Sequence, residues 1–177
     1  MVSQNTVKYG LIAALVNVVI AIILYALGPG ALAGGIWSGL IFLAVNLVVT
    51  IVVLSVLGSK IRQDEGGFIT FKKMFINLFL VVLIMVIGGG LFGYLLYGVV
   101  DTQWMLDAKE MTIANMYEYK DNMPEAAFEA QLERIEEQFS QSFGNTLKQL
   151  GGSILGWTIF SLILAAILKK KQEDFAG

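Results

Sequence analysis

The chain has 177 residues, of which 56% are hydrophobic and 15% charged, with a formal net charge of −2 and a mean hydropathy of +0.73. Such a composition excludes an ordinary water-soluble domain, in which about 25% of the residues are charged. The sequence has no histidine and no cysteine. It therefore lacks the usual ligands of haem and zinc, the commonest acid–base group near neutral pH, thiol nucleophiles and disulfides.

Three uncharged stretches predict where the chain crosses a membrane. They hold 51 residues between Lys8 and Lys60, 27 between Lys73 and Asp101, and 20 between Lys148 and Lys169. A helix needs about 20 apolar residues to cross a hydrocarbon core of about 30 Å, so the first stretch fits two crossings and the others one each. We therefore predict an all-α polytopic membrane protein, a single membrane domain over residues 1–177. Its four transmembrane helices are expected at about 9–27, 36–57, 74–100 and 150–168.

The first two predicted helices are separated by Gly- and Pro-rich residues 28–35. Proline lacks a backbone donor and glycine weakens helices, so this segment is expected to form a turn. A secretory signal peptide is the competing interpretation, because Lys8 is basic and residues 31–33 resemble a cleavage site. The apolar run of 9–27 is longer than the 7–15 residues typical of such peptides, which favours two retained helices.

The charged residues between the helices predict the orientation. Short loops rich in lysine and arginine stay in the cytoplasm, whereas acidic residues count for little. Lys8, the basic loop 58–73 and the Lys169–Lys171 tail all fall on one side after four crossings. We therefore predict cytoplasmic N- and C-termini, with residues 28–35 and 101–148 outside. The aromatic residues Tyr25, Trp37, Tyr97 and Trp104 fall at the expected outer boundary.

The extracytoplasmic segment 101–149 is predicted to be helical and amphipathic. Pro124 followed by Glu125 suits a helix first turn, with Asn122 or Met123 as the cap. Apolar residues then recur every three or four positions and mark one helical face. They are Phe128, Leu132, Ile135, Phe139, Phe143, Leu147 and Leu150. We expect this helix to continue, or nearly so, into the fourth transmembrane helix, with any bend at Gly144. A shorter helix is expected to precede it, using Met105, Ala108, Thr112, Asn115 and Tyr119.

Short motifs in the chain resemble a family of small four-span proteins common in Bacteroidota, known as domain of unknown function 4199. The motifs are residues 67–72 (Gly-Phe-Ile-Thr-Phe-Lys), Tyr94, Tyr97, Asp101 and the Met-Pro-Glu of 123–125. The family pattern often has proline after the aspartate, where this chain has Thr102. The resemblance covers nearly the whole chain and implies the bacterial inner (cytoplasmic) membrane and the same four-helix layout. It implies no established activity.

The predicted helices contain no ionisable residue, the usual mark of an ion or proton path. Asn17 and Asn46 could line a polar path, but an interhelical hydrogen bond is the simpler interpretation. Glycine pairs four residues apart indicate close helix contacts. No catalytic, cofactor or metal residue is predicted. The predicted interaction residues are Phe128, Leu132, Ile135, Phe139, Phe143, Gly89, Gly93, Gly152 and Gly156.

Three function classes are compatible with these features. The preferred one is a non-catalytic membrane protein, an accessory or assembly subunit that contacts the bilayer and either another membrane protein or a second copy of itself. The alternative is a small oligomeric transporter or channel. A membrane enzyme is the least favoured, with Asp101 as its best-placed carboxylate, and no nucleic-acid partner is predicted.

Overall fold

A computed structural model of the chain describes residues 2–33, 36–140 and 142–170. Most of the described residues are helical and none of them belongs to a strand, although Ile69 and Lys170 form an isolated β-bridge. This confirms the predicted all-α fold. Its helices are α1 (Thr6–Leu27), α2 (Gly30–Ala33), α3 (Ile36–Asp64), α4 (Phe71–Leu95), α5 (Thr102–Tyr117), α6 (Glu125–Gln138) and α7 (Phe143–Leu168). Gly34, Gly35 and Lys171, which belong to the predicted turn and basic tail, lie outside the described residues.

Four of these helices are long and apolar enough to cross a membrane, which confirms the predicted number of spans. Their ranges are Thr6–Leu27, Trp37–Asp64, Phe71–Val100 and Phe143–Leu168. The second and fourth extend seven residues beyond the predicted bounds at one end. For the second, the reason is that Leu57 and Ile61 are buried on one face, so the helix continues through the polar residues that follow residue 57. Many apolar side chains on these helices are exposed, as contact with lipid requires.

The contacts between residues divide the chain into two compact units. Unit 1 comprises the described residues within 1–18, 47–89 and 150–177, and unit 2 those within 19–46 and 90–149. In unit 1 the central helix is α4, because its residues recur at helical spacing in the buried core. These core residues of α4 are Met74, Leu78, Val81, Val82, Met85 and Val86.

Polar contacts join the helix ends within unit 1. Asp64, at the end of α3, accepts hydrogen bonds from Asn5 at 2.9 Å and from the Tyr9 hydroxyl at 2.8 Å. Arg62 donates to the carbonyl of Leu168, the last residue of α7, at 3.3 Å. The carbonyl groups at a helix end have no partner inside the helix, so the guanidinium satisfies one of them.

The extracytoplasmic helix was expected to continue, or nearly so, into the fourth span, but the chain is not helical between Gln138 and Phe143 where it is described. Ser142 favours a new helix start, because its hydroxyl oxygen accepts the backbone N–H of Asn145 at 3.2 Å. The side chain of Asn145 in turn donates to the carbonyls of Glu137 and Ser140. Local hydrogen bonds therefore end one helix and start the next, and Gly144 lies after the break, in the first turn of α7.

The start of α6 also differs from the sequence-based expectation. Pro124 is its N-cap residue, with φ −60° and ψ 143°, and Met123 before it is extended. The ψ of Pro124 is outside the helical range, so the helix begins one residue later, at Glu125, and neither Asn122 nor Met123 takes the cap position.

Candidate functional site

Aromatic residues and one carboxylate form a cluster in unit 2. The hydroxyl of Tyr25 donates to Oδ2 of Asp101 at 2.8 Å, and Oδ1 of Asp101 accepts the backbone N–H of Trp104 at 3.1 Å. The indole N–H of Trp104 donates to the carbonyl of Tyr25 at 3.3 Å, and the Tyr97 hydroxyl to the carbonyl of Ala21 at 3.0 Å. The rings of Tyr97 and Trp104 are 4.8 Å apart. We call these residues, Tyr25, Tyr97, Asp101 and Trp104, the aromatic cluster.

Asp101 acts as the N-cap of α5 in this cluster. The chain leaves α4 through a π-helical turn at Leu96–Val100, and Asp101 follows at once. An N-cap carboxylate satisfies a backbone donor that the helix itself cannot pair, and its charge is favourable at the positive end of the helix dipole. Both carboxylate oxygens therefore have protein partners, and the arrangement fixes where α5 begins.

A cavity of about 340 Å³ lies in unit 2 among α2, α5 and α6. Its lining is mainly apolar and includes Leu32, Met116, Met123 and Ile135. Asn115 also lines it, but its amide donates to the carbonyl of Ala33 and so joins α5 to α2. The cavity offers an apolar space with few polar groups and no charged side chain among its lining residues in the described chain.

The predicted apolar stripe is divided between buried and exposed positions. Phe128 and Ile135 are 4% and 9% exposed and pack within unit 2, where the Phe128 ring meets Tyr117 edge-on at 5.1 Å. Leu132 and Phe139 are half-buried. Phe143 is 60% exposed, and its ring packs edge-on against that of Tyr94, with the two ring centroids 6.2 Å apart. Helix α5 therefore covers part of the stripe on α6, through the contact of Tyr117 with Phe128.

The four predicted interaction glycines have different surroundings. A Cβ added at Gly89 would lie 3.0 Å from the Cβ of Asn17, so this glycine allows α4 to approach α1 within unit 1. At Gly93, Gly152 and Gly156 an added Cβ would lie more than 4 Å from the other described residues, its chain neighbours and its own helix aside. The first glycine contact is thus intramolecular, whereas the pair on α7 faces outward from unit 1.

Asn17 and Asn46, the predicted polar positions at depth, are both half-buried. A third asparagine was missed. Asn77 is fully buried in α4, accepts hydrogen bonds from Ser3 and Thr6 through Oδ1, and donates to the carbonyl of Lys73 at 2.6 Å. The sequence signal for this buried amide was a polar residue placed one helical turn inside the predicted third span.

Acidic residues are not gathered into a metal site. Among the residues that the structure describes, no group of three or more Asp or Glu side chains is arranged to hold a metal ion. Glu125, Glu129, Glu133 and Glu137 are exposed at every fourth position of α6. This row gives α6 an acidic outer face.

Comparison with known proteins gives one match. The family model described as "Protein of unknown function (DUF4199)" matches residues 8–170. No curated protein and no solved structure matches the chain.

Proposed function

The chain belongs to the DUF4199 family, and we propose that it is a non-catalytic integral membrane protein, an accessory or assembly subunit that acts by contacting another membrane protein. The contact in this proposal is made by the outward face of α7 in unit 1, around Gly152 and Gly156. The extracytoplasmic part of the chain, including the exposed Phe143, adds a second contact.

The observation that carries the proposal is the open space beside the two glycines of α7. Among the described residues, none outside its own helix would lie within 4 Å of a Cβ added at either position. Leu155 and Ile159 flank them and are 71% and 60% exposed. Glycine is a poor choice for a helix face that only meets lipid, because it offers little apolar area and weakens the helix.

A helix partner gives these glycines a role. In lipid there is no hydrophobic driving force between helices, so association depends on close packing, and small residues four apart let two backbones approach. Large apolar neighbours such as Leu155 then pack around the contact. Spacing alone is common in a chain with 19 glycines. What distinguishes this pair is that the described part of the chain does not fill the space beside it.

The proposed orientation places both termini in the cytoplasm of a bacterial inner membrane, with residues 28–35 and 101–148 outside. The basic residues support it, since Lys8, Lys60 and Lys72 are exposed near the ends of their helices. The acidic outer face of α6 supports a protein rather than a lipid partner outside the membrane, because anionic lipids attract basic segments.

Mild-detergent purification of the full chain from native membranes tests this function. We expect a stoichiometric partner with the unchanged chain and its loss with a Gly152→Leu/Gly156→Leu variant, because the larger side chains keep a second helix from approaching. Ala44→Leu is the matched control, because Ala44 is an exposed small residue on α3. A partner retained by the glycine variant, or lost equally by the control, contradicts the proposed surface.

Recovery of the chain alone as a homo-oligomer favours the alternative, a small oligomeric transporter or channel. An Asn17→Leu/Asn46→Leu variant then tests for a polar path through the spans. If solute flux in reconstituted vesicles is the same with and without these two amides, the path does not use them.

A further inference from the structure

An open groove of about 390 Å³ runs between α1 and α3 in unit 1. Residues with a four-residue spacing line each side of it. They are Lys8, Ile12 and Val16 on α1 and Val52, Val56 and Lys60 on α3. Eight residues of helix rise about 12 Å. The middle of the groove is apolar and accessible, because Ile12, Val52 and Val56 are 40–54% exposed.

The two lysines lie at the same end of this groove. Hydrogen bonds from Asn5 and Tyr9 to Asp64 hold the start of α1 beside the end of α3. Both lysine side chains are exposed, and within the described parts of the chain neither forms an ion pair at 4 Å or less. Asp64 is their acidic neighbour, and its Oδ2 is engaged by Asn5 and Tyr9. Two cations and one anion leave this end of the groove net positive.

We propose that this groove binds one anionic phospholipid, with the phosphate between Lys8 and Lys60 and an acyl chain along Ile12, Val16, Val52 and Val56. Basic pockets between transmembrane helices attract anionic headgroups. Lysine suits the position, since its apolar stem lies on the groove wall while the ammonium group reaches the polar boundary of the bilayer. A lipid is preferred to a free phosphate because its acyl chain would also occupy the apolar part of the groove beyond the lysines. This lipid site is independent of the proposed partner contact, which lies on α7.

Native mass spectrometry of the full chain in mild detergent measures the lipid preference. The probes are phosphatidylglycerol and phosphatidylcholine with the same acyl chains, because they differ in net charge. We expect phosphatidylglycerol to bind about fivefold more tightly than phosphatidylcholine. This is the factor contributed by one lysine near an anionic lipid surface, because the charge of Asp64 cancels that of the second lysine. A ratio near one for the unchanged chain overturns the proposal.

Substitutions locate the preference. A Lys8→Gln/Lys60→Gln variant keeps polar side chains of nearly the same length and removes both charges. Because Asp64 remains, the ratio is expected to fall to one or below. The matched control, Lys72→Gln/Lys169→Gln, removes two exposed lysines of unit 1 that do not line the groove. This control is expected to keep the fivefold ratio. An equal loss of preference in both variants means that net charge alone attracts the lipid, and overturns the site.

The apolar half of the groove has its own test. Val56→Trp fills the groove beside the lysines and is expected to weaken phosphatidylglycerol binding severalfold with unchanged helical circular dichroism. Unchanged binding in this variant contradicts the proposed acyl-chain position. Inorganic phosphate is expected not to compete with the lipid. Displacement of the lipid by millimolar phosphate would identify a free-phosphate site and overturn the lipid proposal.

Discussion

The backbone N–H of Ser3 donates a hydrogen bond of 2.8 Å to Oδ1 of Asn77, a side chain with no exposed surface in α4. The hydroxyl of Thr6 donates to the same oxygen. One amide therefore joins the residues that start α1 to the central helix of unit 1. Because Ser3 and Thr6 are also buried, no solvent replaces this acceptor if it is removed.

Asn77→Leu is expected to destabilise the protein, because it leaves two buried donors without an acceptor at about 1–3 kcal/mol each. Thermal unfolding in detergent, followed by circular dichroism, measures the loss. Thr158→Val is the control, since the hydroxyl of Thr158 bonds only to the carbonyl of Ile154 in its own helix. Equal stability of Asn77→Leu and the unchanged chain would show that the amide is not needed.

The number of membrane-spanning helices could be predicted from the sequence because about 20 consecutive uncharged apolar residues are needed to cross the bilayer, and a helix pairs every backbone group within such a segment. The role of Asn77 could not be predicted in this way. An apolar sequence shows where a helix lies in the bilayer but not which of its faces meets another helix, since all faces are similarly hydrophobic. The burial of Asn77 depends on α1 beginning beside α4, a long-range contact that local patterns do not encode.

The structure of residues 101–149 was predicted less well for a related reason. Its apolar periodicity correctly indicated a helical face at Phe128 and Ile135, but that periodicity continues past Phe139 into α7. The break there depends on the hydrogen bonds of Ser142 and Asn145, which are local and weak. The polar residues Ser142 and Asn145, which interrupt the apolar periodicity, were the sequence signal that could have indicated this break.

Removing the N-cap of α5 is expected to loosen its first turn. Asp101→Ala takes away the acceptor of the Trp104 N–H and of the Tyr25 hydroxyl, and loss of an N-cap costs about 0.5–2 kcal/mol. Hydrogen exchange in residues 102–105 should become faster, whereas Asp101→Asn should preserve most of the protection. Asp107→Ala, on the same helix, removes only an exposed contact with Gln103 and serves as the control. Unaltered exchange in Asp101→Ala would contradict a capping role.

Two glycines of α4 are expected to respond oppositely to alanine. A Cβ at Gly88 would lie 2.9 Å from the Cβ of Ala14, which is fixed to the backbone of α1 and cannot rotate away. Gly88→Ala should therefore cost about 1–3 kcal/mol through overpacking. Gly93→Ala meets nothing within 4 Å and should be neutral or stabilising, because alanine favours helices. Unfolding midpoints of the two variants decide the matter, and equal midpoints would contradict the close approach of α1 and α4.

The proposed orientation can be tested by cysteine labelling, since the chain contains no cysteine of its own. Glu133→Cys lies on the acidic outer face of α6, and Lys72→Cys is exposed at the start of α4. A membrane-impermeant thiol reagent added outside intact inner membranes should label the first and not the second. Inverted vesicles should give the opposite result. The reverse pattern would place the basic loop outside and contradict the orientation argued from Lys8, Lys60 and Lys72.

Substitutions at Phe128 and Phe143 of the apolar stripe are expected to affect different properties, the first stability and the second partner binding. Phe128 is 4% exposed and packs against Tyr117, so Phe128→Ala should lower the stability of unit 2 by about 3 kcal/mol. Phe143 is 60% exposed, so Phe143→Ala should leave the unfolding midpoint nearly unchanged. Because the proposed function places Phe143 in a second partner contact, Phe143→Ala should nevertheless reduce partner recovery. A large loss of stability in Phe143→Ala would show that this side chain supports the fold and would remove it from the contact surface.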